Sequence, residues 1–434
     1  MSMTDALSAP KQPGQGTHPP GVGRRRKRDP FGAWCGGCLV FAFAVAPLLA
    51  WLAPLGFAPL VGIVGALCLP TLVISEEDRP GYLAVLVALI WAAGSTVWSP
   101  YRHEPWGSAA IKLVAEAGFY FAVVCAARRA DSATRTLALR VLAWGTAALG
   151  LVLLVEALTG AALYLTLRDL MADPIRPDLG RKNAAQALFV LALFWPAATL
   201  AAARTVQAWW LAVPMLAGLV VGSVMLGYDA PIIALAASVA AGLAVWRWPI
   251  WAPRALGAFA AIYFLFMPAL MWTLKVTGAF ATLKADVPLS WSQRLGYWGH
   301  ATDWIADHPL RGWGLDASRM FSPGIQLHPH DAALQIWLEL GLIGAMAAAV
   351  FWAALFVRMS RPTRDPAVAA AVASGVAYLV FAAVSFGVWQ EWWLALGGLT
   401  AAAAAAVIRQ PVPAPQPGKS PATRKSSTLA AISE

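Results

Sequence analysis

"HPHDAALQIWLELGLIGAMAAAVFWAALFV", residues 328–357, opens on two histidines and an aspartate. It then runs from Ala332 to Val357 with Glu339 as its only charge. A helix needs about 20 consecutive apolar residues to cross a bilayer, and this run exceeds that, so it reads as a transmembrane span. Three titratable groups crowd its first turn, and a fourth, Glu339, lies deeper. Polar side chains on a span usually face protein or a water-filled cavity, because lipid exposure costs roughly 2.5–3.5 kcal/mol even on permissive scales.

Similar runs recur from Phe31 to Val407. The chain has 434 residues, 59% of them hydrophobic and 12% charged, with 22 Trp, a balance that excludes an ordinary soluble domain. Helices are expected near 31–50, 55–74, 82–98, 108–126, 137–158, 183–203, 207–226, 231–247, 255–275, 332–357, 366–386 and 389–408. The fold class is therefore an all-α polytopic membrane protein of about twelve transmembrane helices, with a large periplasmic loop between helices nine and ten. Residues 1–30 read as a disordered basic cytoplasmic tail, 31–408 as the membrane domain, and 409–434 as a second disordered cytoplasmic tail rich in Pro and Ser.

The net charge of +10 is scattered over short connections instead of forming one stripe, which argues against nucleic acid as a partner. It reports topology. "GRRRKRD", with its cluster at Arg24 to Arg28, precedes the first span and should stay cytoplasmic. No small-residue cleavage pattern follows it, so that span is expected to be retained. Arg128, Arg129, Arg135, Arg204, Arg247, Arg254, Arg358, Arg361 and Arg364 then fall on the inner connections, and Lys419, Arg424 and Lys425 place the carboxy tail on the same side. Cys35, Cys38, Cys68 and Cys125 lie in spans. Hydrocarbon discourages the thiolate that redox or metal chemistry needs, so they are expected to be packing residues.

Two outward connections exceed the usual inter-helix length: residues 159–182 and 276–331. The first carries Arg176, Arg181 and Lys182, and the second carries Lys284, Arg294, Arg311 and Arg319. In the second, Ser290 and Gln293 have capping-box spacing, and Trp298, Ala301 and Ile305 recur at helical intervals. An amphipathic interfacial helix is expected over about 291–306. "HPLRGWG" at 308–314 ends it with Pro309, and Gly312 and Gly314 allow tight turns. Of the six histidines, His103, His300, His308, His328 and His330 fall on the outward side and His18 on the inner. Asp331, Gln335 and Glu339 follow His330 at intervals of four, along one helical stripe.

His330-Asp331, nine residues, then Gly341-Leu-Ile-Gly344 resembles the signature of the O-antigen ligase superfamily, which also contains O-antigen and exopolysaccharide polymerases. "RLGYWGHATDWIADHPLRGWGLD" at 294–316 resembles the Arg-containing helix and His-Pro-x-x-Gly-x-Gly turn that precede the family's histidine. "GRKNAAQAL" at 180–188 resembles the Asn-containing opening of an earlier span. Two places depart from the pattern. Asp331 stands where ligases usually have Asn, Ser or Gln, and "GYDAP" at 227–231 lacks a frequent Ser-Arg. Ligase and polymerase both stay open.

The resemblance implies transfer of a glycan from an undecaprenyl-diphosphate donor to a sugar hydroxyl, on a second glycan or the lipid A core, at the periplasmic face of the inner membrane. It implies neither metal nor cofactor. The residues are compatible with that chemistry. A departing diphosphate needs cations where its charge develops, and Arg176, Arg181, Lys182, Arg294 and Arg311 are candidates. A sugar hydroxyl needs a base with a pKa near neutrality, and His330 is the candidate, with Arg294 beside it as the second catalytic group. His328, Asp331 and Glu339 are candidate substrate contacts, and Asp331 or Glu339 could orient the imidazole. The bland readings are a capping or interfacial histidine, a snorkelling Arg294 and an aromatic belt that includes Trp392 and Trp393. His-x-His-Asp has metal-ligand spacing, but no other cluster completes the set. Glu116 and Glu156, inside spans, suggest a polar cavity or a buried pair with Lys112. A secondary transporter is the rival from another class, although matching broken helices in two halves are not visible.

Overall fold

Several helices begin where an aspartate can accept the unpaired N–H groups of the first turn. Asp29 accepts from Gly32 at 3.0 Å ahead of α1 (Pro30–Leu52). Asp131 accepts from Ala133 and Thr134 ahead of α5 (Ser132–Thr159). Asp331 accepts from Leu334 ahead of α13 (Ala332–Val357), and Asp365 from Ala367 ahead of α14 (Pro366–Val384). The remaining helices are α2 (Phe57–Leu67), α3 (Arg79–Ser95), α4 (Ala109–Arg129), α6 (Ala162–Leu170), α7 (Pro177–Ala201), α8 (Ala212–Leu226) and α9 (Asp229–Arg247). They continue with α10 (Trp251–Val276), α11 (Ala279–Asp286), α12 (Leu289–Asp307) and α15 (Glu391–Arg409). The computed structural model describes residues 29–102 and 109–410. The expectations for the basic tail with Arg24–Arg28, for His18 and His103, and for Lys419, Arg424 and Lys425 lie outside the described residues.

The protein is an all-helical polytopic membrane protein. Among the described residues ten helices are long and apolar enough to cross a bilayer: α1, α4, α5, α7 to α10 and α13 to α15. The other two positions expected to span carry shorter helices. α2 has 11 residues and α3 has 17, about 17 and 26 Å of helix. α7 is the most enclosed helix, and the largest apolar core gathers around it from α1, α2, α4, α5, α8, α14 and α15. A second core joins α9, α10, α13 and α14. Outward faces are apolar, as with Ile90, Phe259 and Trp272, and suit a lipid solvent. The four cysteines are buried and free, as packing residues would be.

The shortness of α3 creates room for the turn at 308–316. Ser95 Oγ accepts the N–H of Leu315 at 2.9 Å, and Ser99 Oγ donates to the carbonyl of Leu315 at 2.8 Å. On the other side the turn meets α13 where that helix is broken. Gly341 has φ 63° and ψ −157°, a conformation essentially reserved for glycine. Backbone groups freed at the break find partners in or beside the turn. Trp313 N–H donates to Leu338 O at 2.8 Å, Gly314 N–H to Glu339 O at 2.7 Å, and Leu342 N–H to Pro309 O at 2.9 Å. The Trp91 indole reaches Leu340 O at 2.9 Å. Gly312 and Gly314, at φ 68° and 99°, supply the expected tight turns.

Two local expectations are corrected. α12 starts at Leu289 without a side-chain cap, because the carbonyl of Pro288 already takes the N–H groups of Trp291 and Ser292. The Ser290–Gln293 spacing is not used as a capping box. Trp392 and Trp393 do not form an interfacial belt. Both are buried at the start of α15, where Trp393 stacks on Tyr378 with ring centroids 4.2 Å apart, because the α14–α15 turn folds inward.

Candidate functional site

The successive helices alternate in direction, so the connections 160–176, 227–228, 277–331 and 385–390 gather at one end of the bundle. The His-Pro-His turn sits in their midst. α12 holds it through the Trp298 indole, which donates to Pro329 O at 2.9 Å. α10 holds it through Tyr263, whose hydroxyl hydrogen-bonds the Asp331 carboxyl. His330 takes a left-handed backbone, φ 57°, which places its ring outside the helix that begins two residues later.

The His330 ring is half-buried and precisely held. Nδ1 lies 2.7 Å from the carbonyl oxygen of Ser385, at the end of α14. A carbonyl only accepts, so Nδ1 carries the proton and Nε2 keeps its lone pair. Tyr297 stacks on one side, with centroids 6.0 Å apart and planes 21° from parallel. Burial, with a contribution from Arg294, lowers the His330 pKa below the usual histidine value. The group this arrangement presents is a neutral imidazole with an open acceptor nitrogen.

His328 is 6% exposed and packs against His330 with centroids 4.2 Å apart. Its Nδ1 accepts the His330 backbone N–H at 3.2 Å, and its Nε2 faces the Gln390 amide at 3.4 Å. Burial first, then its neighbours His330 and Arg319, push its pKa down to about 3. It supports the turn from inside. It lines a small recess of about 20 Å³ together with Asp316, Arg319, Gln335 and Gln390 among others.

Arg294 is half-buried on α12, one turn before Tyr297. Its guanidinium rests over the Trp291 ring at 5.1 Å and makes one long bond, 3.5 Å, to its own helix at Ser290 O. Asp229 lies close enough to favour its charge, and that carboxylate also accepts the Trp291 indole at 3.3 Å. The "GYDAP" departure thus supplies the counter-charge for Arg294. Among the described residues most of the planar donor fork is uncommitted.

Two expected substrate contacts have other work. Asp331 is 1% exposed and caps α13, accepting Leu334 N–H at 2.8 Å. Burial pushes its pKa up to about 7. Of the Asn, Ser or Gln expected here from the resemblance, Asn and Ser are cap-forming residues too, so relative to those two Asp331 preserves the local chemistry. Glu339 is 0% exposed and engaged by protein donors on both oxygens. Neither carboxylate touches the imidazole, whose orienting group is the Ser385 carbonyl. Asp331→Asn is expected to leave melting and transfer nearly unchanged, whereas Asp331→Ala costs about 1 kcal/mol of stability. Thermal unfolding in detergent measures both, and a large loss of transfer in the Asn variant would restore a substrate role.

The other cations are more dispersed. Arg311 is exposed at the tip of the 308–314 turn, over Trp98 at 6.0 Å. Arg176 is exposed and paired with Asp178 at 3.1 Å. Arg181 and Lys182 are exposed at the start of α7, with Arg181 against Gly160. α7 joins the histidine region two turns further on, where Phe189 packs on Phe386 at 4.8 Å. These cations therefore rim the same end without meeting His330. Glu156 is bound by the Trp51 indole at 2.7 Å, and Lys112 pairs with Glu391 at 3.1 Å rather than with Glu116.

Tyr297, Tyr263, Ser385 and Gln390 were not foreseen. Tyr297 had a signal, lying three residues from Arg294 on the same helical face. Ser385 had none, because it acts through its backbone. Among the described residues no group of three or more His, Cys, Asp or Glu is arranged to hold a metal ion.

Fold and site together define a polytopic helical membrane protein whose broken span and inward turn hold an imidazole at one end of the bundle. Residues 210–349 match the family described as O-antigen ligase, and this segment includes Arg294, Arg311, His330 and the break at Gly341. Three relatives are provisionally named polysaccharide ligases. The Rickettsia conorii protein is 28% identical over 120 residues, covering 24% of this chain and 29% of its own length. That of Rickettsia bellii is 30% identical over 119 residues, with coverages of 24% and 29%. That of Rickettsia prowazekii is 26% identical over 123 residues, with coverages of 24% and 30%. The aligned part thus spans under a third of these relatives. The resemblance to the O-antigen ligase superfamily is borne out.

Proposed function

We propose that this chain is a polysaccharide ligase that moves a glycan from an undecaprenyl-diphosphate donor to a sugar hydroxyl at the periplasmic face of the bacterial inner membrane. The acceptor is a lipid A core or another glycan, in lipopolysaccharide or exopolysaccharide assembly, and both termini lie in the cytoplasm. The observation that carries this reading is the His330 ring, fixed by Ser385 with Nε2 open, beside the uncommitted guanidinium of Arg294.

The acceptor hydroxyl oxygen attacks the anomeric carbon as its proton passes to His330 Nε2. The bond from that carbon to the diphosphate oxygen breaks, and the lipid diphosphate leaves with the electron pair. Arg294 stabilises the growing charge, with Arg311, Arg176, Arg181 and Lys182 as a cationic rim that draws in the donor. The polyprenyl tail stays in the bilayer against the apolar exterior. A polymerase would use the same chemistry with a repeat unit as acceptor. In a deletion strain, loss of glycan from lipid A identifies a ligase, and a collapsed chain-length ladder identifies a polymerase.

Arg294→Lys tests the charge-stabilising part. Lysine keeps the charge but loses the planar fork, so transfer is expected to fall about 10- to 100-fold, the worth of one or two charge-assisted hydrogen bonds. Protein level should not change. Full activity of that variant in membranes supplied with lipid-linked donor would refute the fork.

A further inference from the structure

We infer that Gln335 and Glu339 are positioning residues: from inside α13 they clamp the Ser385–Gln390 connection and thereby fix the tautomer of His330. Glu339 Oε2 accepts the backbone N–H of Asp316 at 2.8 Å and the Trp389 indole N–H at 2.5 Å, while Oε1 accepts from Gln335 Nε2 at 3.1 Å. Each of these partners is a donor, as an ionised carboxylate requires. That fixes the Gln335 amide. Its NH2 points to Glu339, so its Oε1 points away and takes the N–H of Val388 at 2.9 Å.

Val388 and Trp389 are therefore both tied to α13, and the carbonyl that takes the His330 Nδ1 proton lies three residues before Val388. The chain of contacts is buried, with Gln335 3% and Glu339 0% exposed, so a polar group that loses its partner here is costly. It also has a direction, because every link runs from donor to acceptor toward the carboxylate or the amide oxygen. Reversing one link sets two N–H groups face to face.

Glu339→Gln reverses one. The carbonyl of the introduced amide can serve Asp316 and Trp389, but its NH2 then meets the NH2 of Gln335. If Gln335 rotates to accept, its own NH2 confronts the N–H of Val388, and the connection must shift. Exchanging the two groups, Gln335→Glu with Glu339→Gln, restores the order. The carboxylate placed at 335 accepts from both Val388 and the amide at 339, whose carbonyl still serves Asp316 and Trp389. Both variants conserve shape, so insertion and folding are expected to persist.

The experiment uses the full chain in lipid nanodiscs, labelled with 15N-histidine, with His330 assigned by the signals missing in His330→Asn. The wild type should show a protonated Nδ1 and a bare Nε2. Glu339→Gln should lose that single tautomer, and kcat for glycan transfer should fall about tenfold or more, part of the 10²–10⁴ a positioned base contributes. KM for the lipid donor should hold. The double exchange should restore both readouts, which a merely structural role would not do. An unchanged tautomer in Glu339→Gln overturns the inference, and so does failure of the exchange to restore it. The activity arm rests on the proposed role of His330, whereas the tautomer arm does not. A tautomer that shifts and recovers while transfer stays constant would uphold the positioning role and refute His330 as the base.

Discussion

Replacing His330 with asparagine or alanine is expected to lower glycan transfer by about 10²–10⁴-fold, the usual contribution of a positioned general base. Protein level and membrane insertion should stay normal. The ring makes one directional bond, to Ser385 O at 2.7 Å, and stacks on Tyr297, so its removal costs about 1 kcal/mol rather than the fold. Asparagine is the stricter variant, because it tolerates the left-handed backbone at φ 57° better than alanine does. Surface polysaccharide in a complemented deletion strain, together with transfer in isolated membranes, gives the readout. Unchanged polysaccharide would remove His330 from the reaction.

The pH dependence has a definite sign. The base is the unprotonated imidazole, and burial, then the Arg294 charge, hold its pKa below the ordinary 6.5. Transfer should therefore be flat through neutral pH and fall only as the medium becomes acidic enough to protonate the ring. His328, pushed down to about 3, stays neutral throughout and adds no limb of its own. An activity loss centred above pH 7 on the acid side would require a different base.

Hydropathy made the architecture legible because lipid imposes long apolar helices, and each of the twelve expected positions carries one, full-length or short. The break in α13 was hidden for the same reason. The run from Ala332 to Val357 is apolar on both sides of Gly341, so hydropathy alone does not separate two half-helices from one span. The stripe of Asp331, Gln335 and Glu339 was legible as a buried polar face, but its partners were not. Beside side-chain donors from Tyr263 and Trp389 they include the backbone N–H groups of Leu334, Asp316 and Val388, the last two from segments 23 and 53 residues away, and no residue type advertises a backbone donor. A polar stripe on a span was expected to face protein or a water-filled cavity, and here folded-in backbone and side chains satisfy it.

Gly341→Ala should be strongly damaging for a change of a single methyl group. The conformation at φ 63° and ψ −157° costs a non-glycine residue about 1–3 kcal/mol by itself. The added carbon would also lie 2.4 Å from Leu310 O and 2.7 Å from Gly312 N, both rigid backbone. Relief means pushing the 308–314 turn away from α13, which breaks the bonds from Trp313, Gly314 and Leu342 at about 1 kcal/mol each. A loss of about 4 kcal/mol or more follows, a large fraction of the about 5–15 kcal/mol that holds an ordinary domain folded. The surviving fraction should also transfer poorly, because the same turn donates the Asp316 N–H to Glu339 and so tensions the clamp on Ser385. Gly118→Ala on α4 is the matched control. Nothing lies within 4 Å of its new carbon, so it should be neutral or stabilising by up to about 1 kcal/mol. Tryptophan-fluorescence melting of the two purified variants decides the matter, and equal melting temperatures would mean that the turn does not hold the broken helix.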